Sequence, residues 1–401
     1  MTKQDEFDLP EDIAPEESAY DIEYETGQDN VTFLGLDIHN PVFFLSAGLI
    51  LTFVIGALIF PDTASAWMTV ARSWTLEHFD WFFVIATNIV FLFCVFVAVS
   101  PFGRIRLGGA DAKPEFSTKS WLARLFSAGV GIGMIFSGAA EPMAYYRDWF
   151  GTPLDAEQLT PEAKRLAFSA TIFHWGITPW AVYAVIALAL AFFTFNKRLP
   201  LTIRSAFYPL LGERVWGWTG HIIDTLAVFA TLFGLATSLG IGAQQANAGI
   251  NYVYGVPNNM TVQVLLICGI TAVALVSVLR GLDGGVKVLS EINMVVAMVL
   301  LLFVLFTAGA VGIFTDFIST LGAYVQEVIP LSNPHGREDT GYMQGWTAFY
   351  WAWWISWSPF VGMFIARVSR GRSVREFITC VLIIPSVVCI FWMAVFGGSA
   401  I

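Results

Sequence analysis

Residues 41–61, PVFFLSAGLILTFVIGALIFP, contain no charged side chain. A helix that crosses the hydrocarbon core of a bilayer needs about 20 apolar residues. Residues 81–101, WFFVIATNIVFLFCVFVAVSP, repeat the pattern. Outward from these two, further apolar blocks occupy roughly residues 121–145, 166–195, 220–252, 259–279, 291–314, 344–366 and 376–401. Nine spans are therefore predicted, and the fold class is an all-α polytopic membrane protein. The composition agrees: 56% of the 401 residues are hydrophobic and 13% charged, where soluble domains carry about 25% charged residues. The fifth and sixth spans are divided by Gly255, Pro257, Asn258 and Asn259, a set typical of turns.

Loop charge sets the orientation. One set of loops holds Arg104, Arg106, Lys113, Lys119, Arg124, Lys197, Arg198, Arg204, Arg214, Arg280, Lys287, Arg367, Arg370, Arg372 and Arg375. The opposite set holds only Arg72, Arg147, Lys164, Arg165 and Arg337. The richer set, and with it the N-terminus, is expected in the cytoplasm of a cell whose inner membrane the chain crosses. The net charge of −10 comes almost wholly from the first 30 residues, where eleven acids face one lysine. That stretch predicts a disordered acidic tail. Cys94, Cys268, Cys380 and Cys389 lie inside apolar blocks and read as small hydrophobes, not as disulfides or zinc ligands.

Between the seventh and eighth spans, Phe317, Leu321, Tyr324, Val325 and Val328 recur at helical spacing. An amphipathic helix on the outer surface and a cap packed on the bundle both satisfy that spacing. The sequence closes at Ile401 within an apolar block, which suggests a fragment of a longer chain.

Three clusters carry the chemistry. Gly129, Gly131 and Gly133 alternate in the third span, and each glycine weakens a helix by roughly 1 kcal/mol relative to alanine. Gly129 and Gly133 could serve close helix packing, or the stretch could break the helix and let a ligand meet bare backbone. The second cluster is aromatic: His174, Trp175, Trp180 and Tyr183 in the fourth span, and Tyr350, Trp351, Trp353, Trp354 and Trp357 in the eighth. An interfacial belt accounts for single tryptophans, not for rings that continue through a span. Ring faces suit a quaternary ammonium group, which has no N–H to offer a carboxylate and gains about 0.5–2 kcal/mol from each desolvated ring. The spans are poor in acids; Glu141, Asp224 and Glu291 lie towards span ends, and none is required as a counter-ion, although each intramembrane acid is a functional candidate by default. Thr231, Thr237 and Ser238 in the fifth span form the third cluster, suited to a small cation or to ordinary helix bonding.

Taken together, these residues resemble the betaine/carnitine/choline transporter family. The most specific stretch is Trp351-Ala352-Trp353-Trp354-Ile355-Ser356-Trp357-Ser358-Pro359-Phe360 with the following Arg367 to Arg372. The resemblance implies a LeuT-like fold of two inverted five-helix repeats. Its parts would be an acidic tail (1–35), two peripheral helices with a basic loop (36–115), the first repeat (116–315), a surface helix and loop (316–340) and the start of the second repeat (341–401). It implies that Trp175, Trp180, Tyr183 and Trp354 form an ammonium cage, that Trp353 and Trp357 line the cytoplasmic pathway, and that Gly129, Gly131, Gly133 and Ser238 face the substrate. Ser127, Ala128, Val130, Thr231 and Phe360 would border sodium sites. Gly133 matches members that carry betaine-like substrates. Residues 225–250 hold no arginine, unlike the family's sodium-independent branch. The expected function is sodium-coupled import of glycine betaine or a related quaternary ammonium or sulfonium solute, by a homotrimer in the lipid bilayer. No cofactor other than the coupling sodium ion and no nucleic acid is expected. A proton-coupled choline carrier of the same fold is the nearest rival. A channel would show a repeated pore motif or charged ring, and a membrane enzyme a metal or nucleophile cluster. Neither is visible in the sequence.

Overall fold

The computed structural model describes residues 20–129, 131–280 and 287–401. A small antiparallel hairpin of β1 (Asn30–Phe33) and β2 (Leu36–His39) precedes the helices, with Asn30 opposite His39. Residues 1–19 of the acidic stretch lie outside the described residues. From residue 20 onward the chain is not the featureless tail expected up to residue 35, because Tyr24 stacks on Trp216 with ring centroids 4.5 Å apart.

Helix α1 (Val42–Ile59) and the 39-residue α2 (Pro61–Val99) meet at Phe60. Pro61 supplies the break, since it offers no N–H and pre-sets a helix start. The segment between the first two predicted spans is thus helical, and α2 runs about 58 Å, well beyond the hydrocarbon core.

The next two spans are both interrupted. Helix α3 (Thr118–Gly129) stops and α4 (Ile132–Tyr146) begins after Gly131, whose backbone is extended at φ −122°, ψ 176°. Helix α5 (Pro161–Trp175) and α6 (Ile177–Ala191) are separated at Gly176, at φ −89°, ψ −139°. After the short α7 (Tyr208–Leu211) comes α8 (Trp218–Tyr254), closed by Gly255 in the left-handed region at φ 70°. The Asn259 side chain then accepts from Val262 N–H to start α9 (Met260–Leu279). The turn expected there is thus present.

Helix α10 (Lys287–Ala308) leads to α11 (Ala310–Ser332). The latter packs on α5: Arg165 bridges to Glu327 at 2.7 Å, and Tyr324 is buried. It is therefore a piece of the bundle, although Ile318, Val325 and Ile329 remain exposed on its other side. A short α12 (Thr340–Tyr342) and a wide π turn (Met343–Ala348) open α13 (Phe349–Val368), and α14 (Val374–Ala400) completes the described chain.

Among the described residues, seven helical stretches are long and apolar enough to cross a membrane. The two other predicted spans coincide with α3–α4, which is divided, and with α13, whose tryptophans and serines lower its hydropathy. Lipid supplies no hydrophobic drive for helices to associate, so close packing has to. On α6, Ala184, Ala187 and Ala191 are fully buried. A Cβ on Gly362 of α13 would come within 2.7 Å of the Ile186 side chain. On the basic side, Gly371 N–H donates to Leu107 and Leu107 N–H to Arg372, tying the α2–α3 loop to the α13–α14 turn. Gly371 has φ +81°, and a Cβ there would strike the Lys113 backbone at 2.3 Å. Arg367 bonds Glu115 across the same junction at 2.9 Å and holds its carboxyl below the ordinary range.

Candidate functional site

The break at Gly176 is what assembles the site. It leaves Trp175 as the last residue of α5 and sets Trp180 and Tyr183, three apart and on one face, on the first turns of α6. A helix end has carbonyls without intrahelical donors. One of them, the His174 carbonyl, accepts the Trp354 indole N–H from α13 at 3.0 Å. Trp354 is thereby pinned between the two half-helices.

Its ring meets Trp175 edge-to-face at 5.2 Å and Tyr183 at 5.4 Å, and Trp180 meets Tyr183 at 5.5 Å. All four rings expected in the cage are therefore brought together. Trp175, Trp180 and Tyr183 are at most 3% exposed, so they do not face lipid. Such edge-to-face pairs add about 0.5–1.5 kcal/mol each beyond area burial.

Gly133 lies against this cluster. A Cβ there would sit 3.1 Å from both the Trp175 and the Trp353 rings. Gly131 has open space where a Cβ would be, and Gly129 ends α3. The Trp353 ring is 6.3 Å from Trp354, and its buried indole N–H has no acceptor among the described residues. Trp357 lies one turn further along α13, against Gly234 of α8 and 5.8 Å from Phe360.

The hydroxyl cluster is arranged differently. Thr231 donates to Ala227 O at 2.9 Å, Thr237 to Phe233 O at 2.9 Å and Ser238 to Gly234 O at 3.1 Å. Each bonds its own helix and keeps an oxygen able to accept or coordinate. Phe360 is 56% exposed. Val130 and the side chains of Ser127 and Ala128 lie outside the described residues.

Sequence reasoning kept Glu141 only as a default candidate and missed the network it makes behind these rings. Glu141 of α4 is only 2% exposed. Its Oε2 accepts the Trp175 indole N–H and the Tyr350 hydroxyl, each at 2.6 Å, and its Oε1 accepts the Tyr145 hydroxyl at 2.6 Å. His174 Nδ1 lies 3.2 Å from the same Oε1 and 2.8 Å from Tyr145 O–H, while its Nε2 lies 3.1 Å from Thr347 Oγ1. The available signal was the pairing of Glu141 with Tyr145 at one helical turn, a polar face inside an apolar span.

The model of the betaine/carnitine/choline family transporters matches residues 41–401. A glycine betaine transporter of Vibrio parahaemolyticus is 58% identical over 380 residues, 94% of this chain and 72% of that protein. A glycine betaine/proline/choline/ectoine transporter of the same organism is 56% identical over 382 residues, 94% of this chain and 67% of that one. A glycine betaine transporter of Bacillus subtilis is 44% identical over 362 residues, 90% of this chain and 70% of that protein. The matched span holds both broken helices and every cage ring, and the chain belongs to the betaine/carnitine/choline transporter family, whose members are membrane transporters and not enzymes.

Proposed function

We propose that this chain works as a secondary active transporter that imports glycine betaine or a related methylated ammonium or sulfonium solute, coupled to sodium. The observation that carries this reading is the cage: Trp175, Trp180, Tyr183 and Trp354 converge from three helices, with Trp354 pinned to the His174 carbonyl. Such faces hold a cation that cannot donate a hydrogen bond. The free indole donor of Trp353, beside Gly133, suits the carboxylate at the other end of a betaine. The printed names of the relatives support the substrate class.

In this reading α3 to α10 form the first of two inverted repeats, and α13 and α14 begin the second. The breaks at Gly131 and Gly176 fit a site at mid-membrane around which one bundle rocks against the other. Sodium would pass along Thr231 and Phe360, and each charge moved inward gives about 2.3 kcal/mol per 100 mV. The N-terminus and the basic loops would face the cytoplasm across the inner membrane, and the exposed Ile318, Val325 and Ile329 face of α11 would serve a trimer.

A second reading is proton-coupled carriage of choline or a wider set of solutes. Its wider substrate range, though not its coupling ion, is favoured by the 56% identical relative named for proline, choline and ectoine as well. Uptake of labelled glycine betaine into proteoliposomes separates the two. Accumulation driven by a sodium gradient is expected. Accumulation driven by a proton gradient alone would overturn the coupling, and equilibration without accumulation would indicate a channel.

A further inference from the structure

We propose that the Glu141 carboxylate is the fixed negative charge of the substrate site, acting through the indole of Trp175 to select a positively charged head group. The inference rests on the cage reading and adds a specificity-determining residue that does not itself touch the ligand.

The donor set suits an ionised carboxylate. Two hydroxyls and one indole N–H point at the two carboxyl oxygens. An ionised carboxylate only accepts, and this set offers it three donors. A protonated acid would need an acceptor in turn, and the nearest candidate, His174 Nδ1 at 3.2 Å from Oε1, is also 2.8 Å from the Tyr145 hydroxyl. Arg337, the cation that could neutralise it from the outer side, is already bound to Asp339 by two side-chain bonds. Among the described residues the buried carboxylate has no paired lysine or arginine, and the basic group beside it is His174, whose Nδ1 lies 3.2 Å from Oε1. A buried carboxylate held this way is costly, and a positive ligand relieves that cost.

The route to the ligand is one ring. Glu141 Oε2 holds the Trp175 N–H at 2.6 Å, and the same indole packs against Trp354 at 5.2 Å and meets Gly133 at its far edge. A charge-assisted bond at the N–H draws electron density onto the ring. Its face then becomes a better partner for a cation. The charge also acts across the low-dielectric interior, where water does not screen it. A carboxylate one ring away attracts a methylated ammonium without any directional bond.

The test compares glycine betaine with 3,3-dimethylbutanoate, which has the same shape with carbon in place of the charged nitrogen. Binding is read by tryptophan fluorescence on the full chain in lipid nanodiscs, for wild type, Glu141→Gln and Tyr350→Phe. The amide of Glu141→Gln still accepts the Trp175 N–H but carries no charge. Betaine is expected to bind Glu141→Gln about tenfold more weakly, with the carbon analogue unchanged, so the preference for charge falls about tenfold. Tyr350→Phe keeps the charge, and its preference should stay within about twofold of wild type. Equal weakening of both ligands in Glu141→Gln would make Glu141 a structural support and overturn the proposal. So would an unchanged preference. If Glu141→Gln does not fold, Glu141→Met, also uncharged and of similar length, leaves every cage ring in place, and the preference should again fall. Failure of the cage reading is distinct: wild type would then show no preference for betaine over the carbon analogue.

Discussion

The aromatic cluster and the hydroxyl cluster are held in opposite ways. Three of the four rings are fixed by another helix: Trp175 by Glu141 of α4, Trp354 by a carbonyl of α5, Tyr183 by Trp354 of α13. Thr231 and Ser238 are fixed only by the turn before them in α8. The first is specified by tertiary contacts and loses its geometry if one partner moves. The second is locally satisfied, with each hydroxyl bonded within its own helix.

That contrast predicts unequal sensitivity. The largest effect is expected at Trp354, which carries one cage face and the clamp on His174. Trp354→Leu should raise the KM for betaine uptake about 30-fold, from a loss of about 2 kcal/mol, with expression and membrane insertion retained. An unchanged KM would remove Trp354 from the site. Next comes Gly133→Ala, because its Cβ would press on two indoles at 3.1 Å. A displacement of a few tenths of an ångström in both rings should cost roughly 1 kcal/mol, about fivefold in KM, with maximal velocity little changed. Betaine affinity as in wild type would show that the rings yield freely. The smallest effect is expected at Thr231→Ala. Its sodium half-saturation should rise about threefold while betaine affinity at saturating sodium stays the same. A loss of betaine affinity at every sodium concentration would make Thr231 part of the substrate site instead.

The membrane class and most spans were legible because apolar block length is a local property. The break at Gly131 was one of two open readings of the glycine triplet, and only the backbone decided between them. The break at Gly176 was not foreseen. A lone glycine between Trp175 and Ile177 carries no more signal than many others that pass unbroken through helices here, such as Gly240 or Gly269. The cage rings were legible as a cluster, but the Glu141 network was not. Its partners come from positions 145, 174, 175 and 350, and nothing in the spacing of one helix announces that α4, α5 and α13 converge on one carboxylate. Residues 20–35 were misread for a related reason. Their acidity suggested solvent, whereas Tyr24 finds its partner far along the chain, at Trp216.

The central claim is that aromatic faces, not a direct ion pair, grip the methylated cation. Stepwise fluorination of the Trp354 indole tests it most directly, since each fluorine weakens the ring's attraction for a cation while hardly changing its shape. Betaine affinity is predicted to fall progressively with each added fluorine. An affinity independent of fluorination, with betaine still bound, would contradict the account.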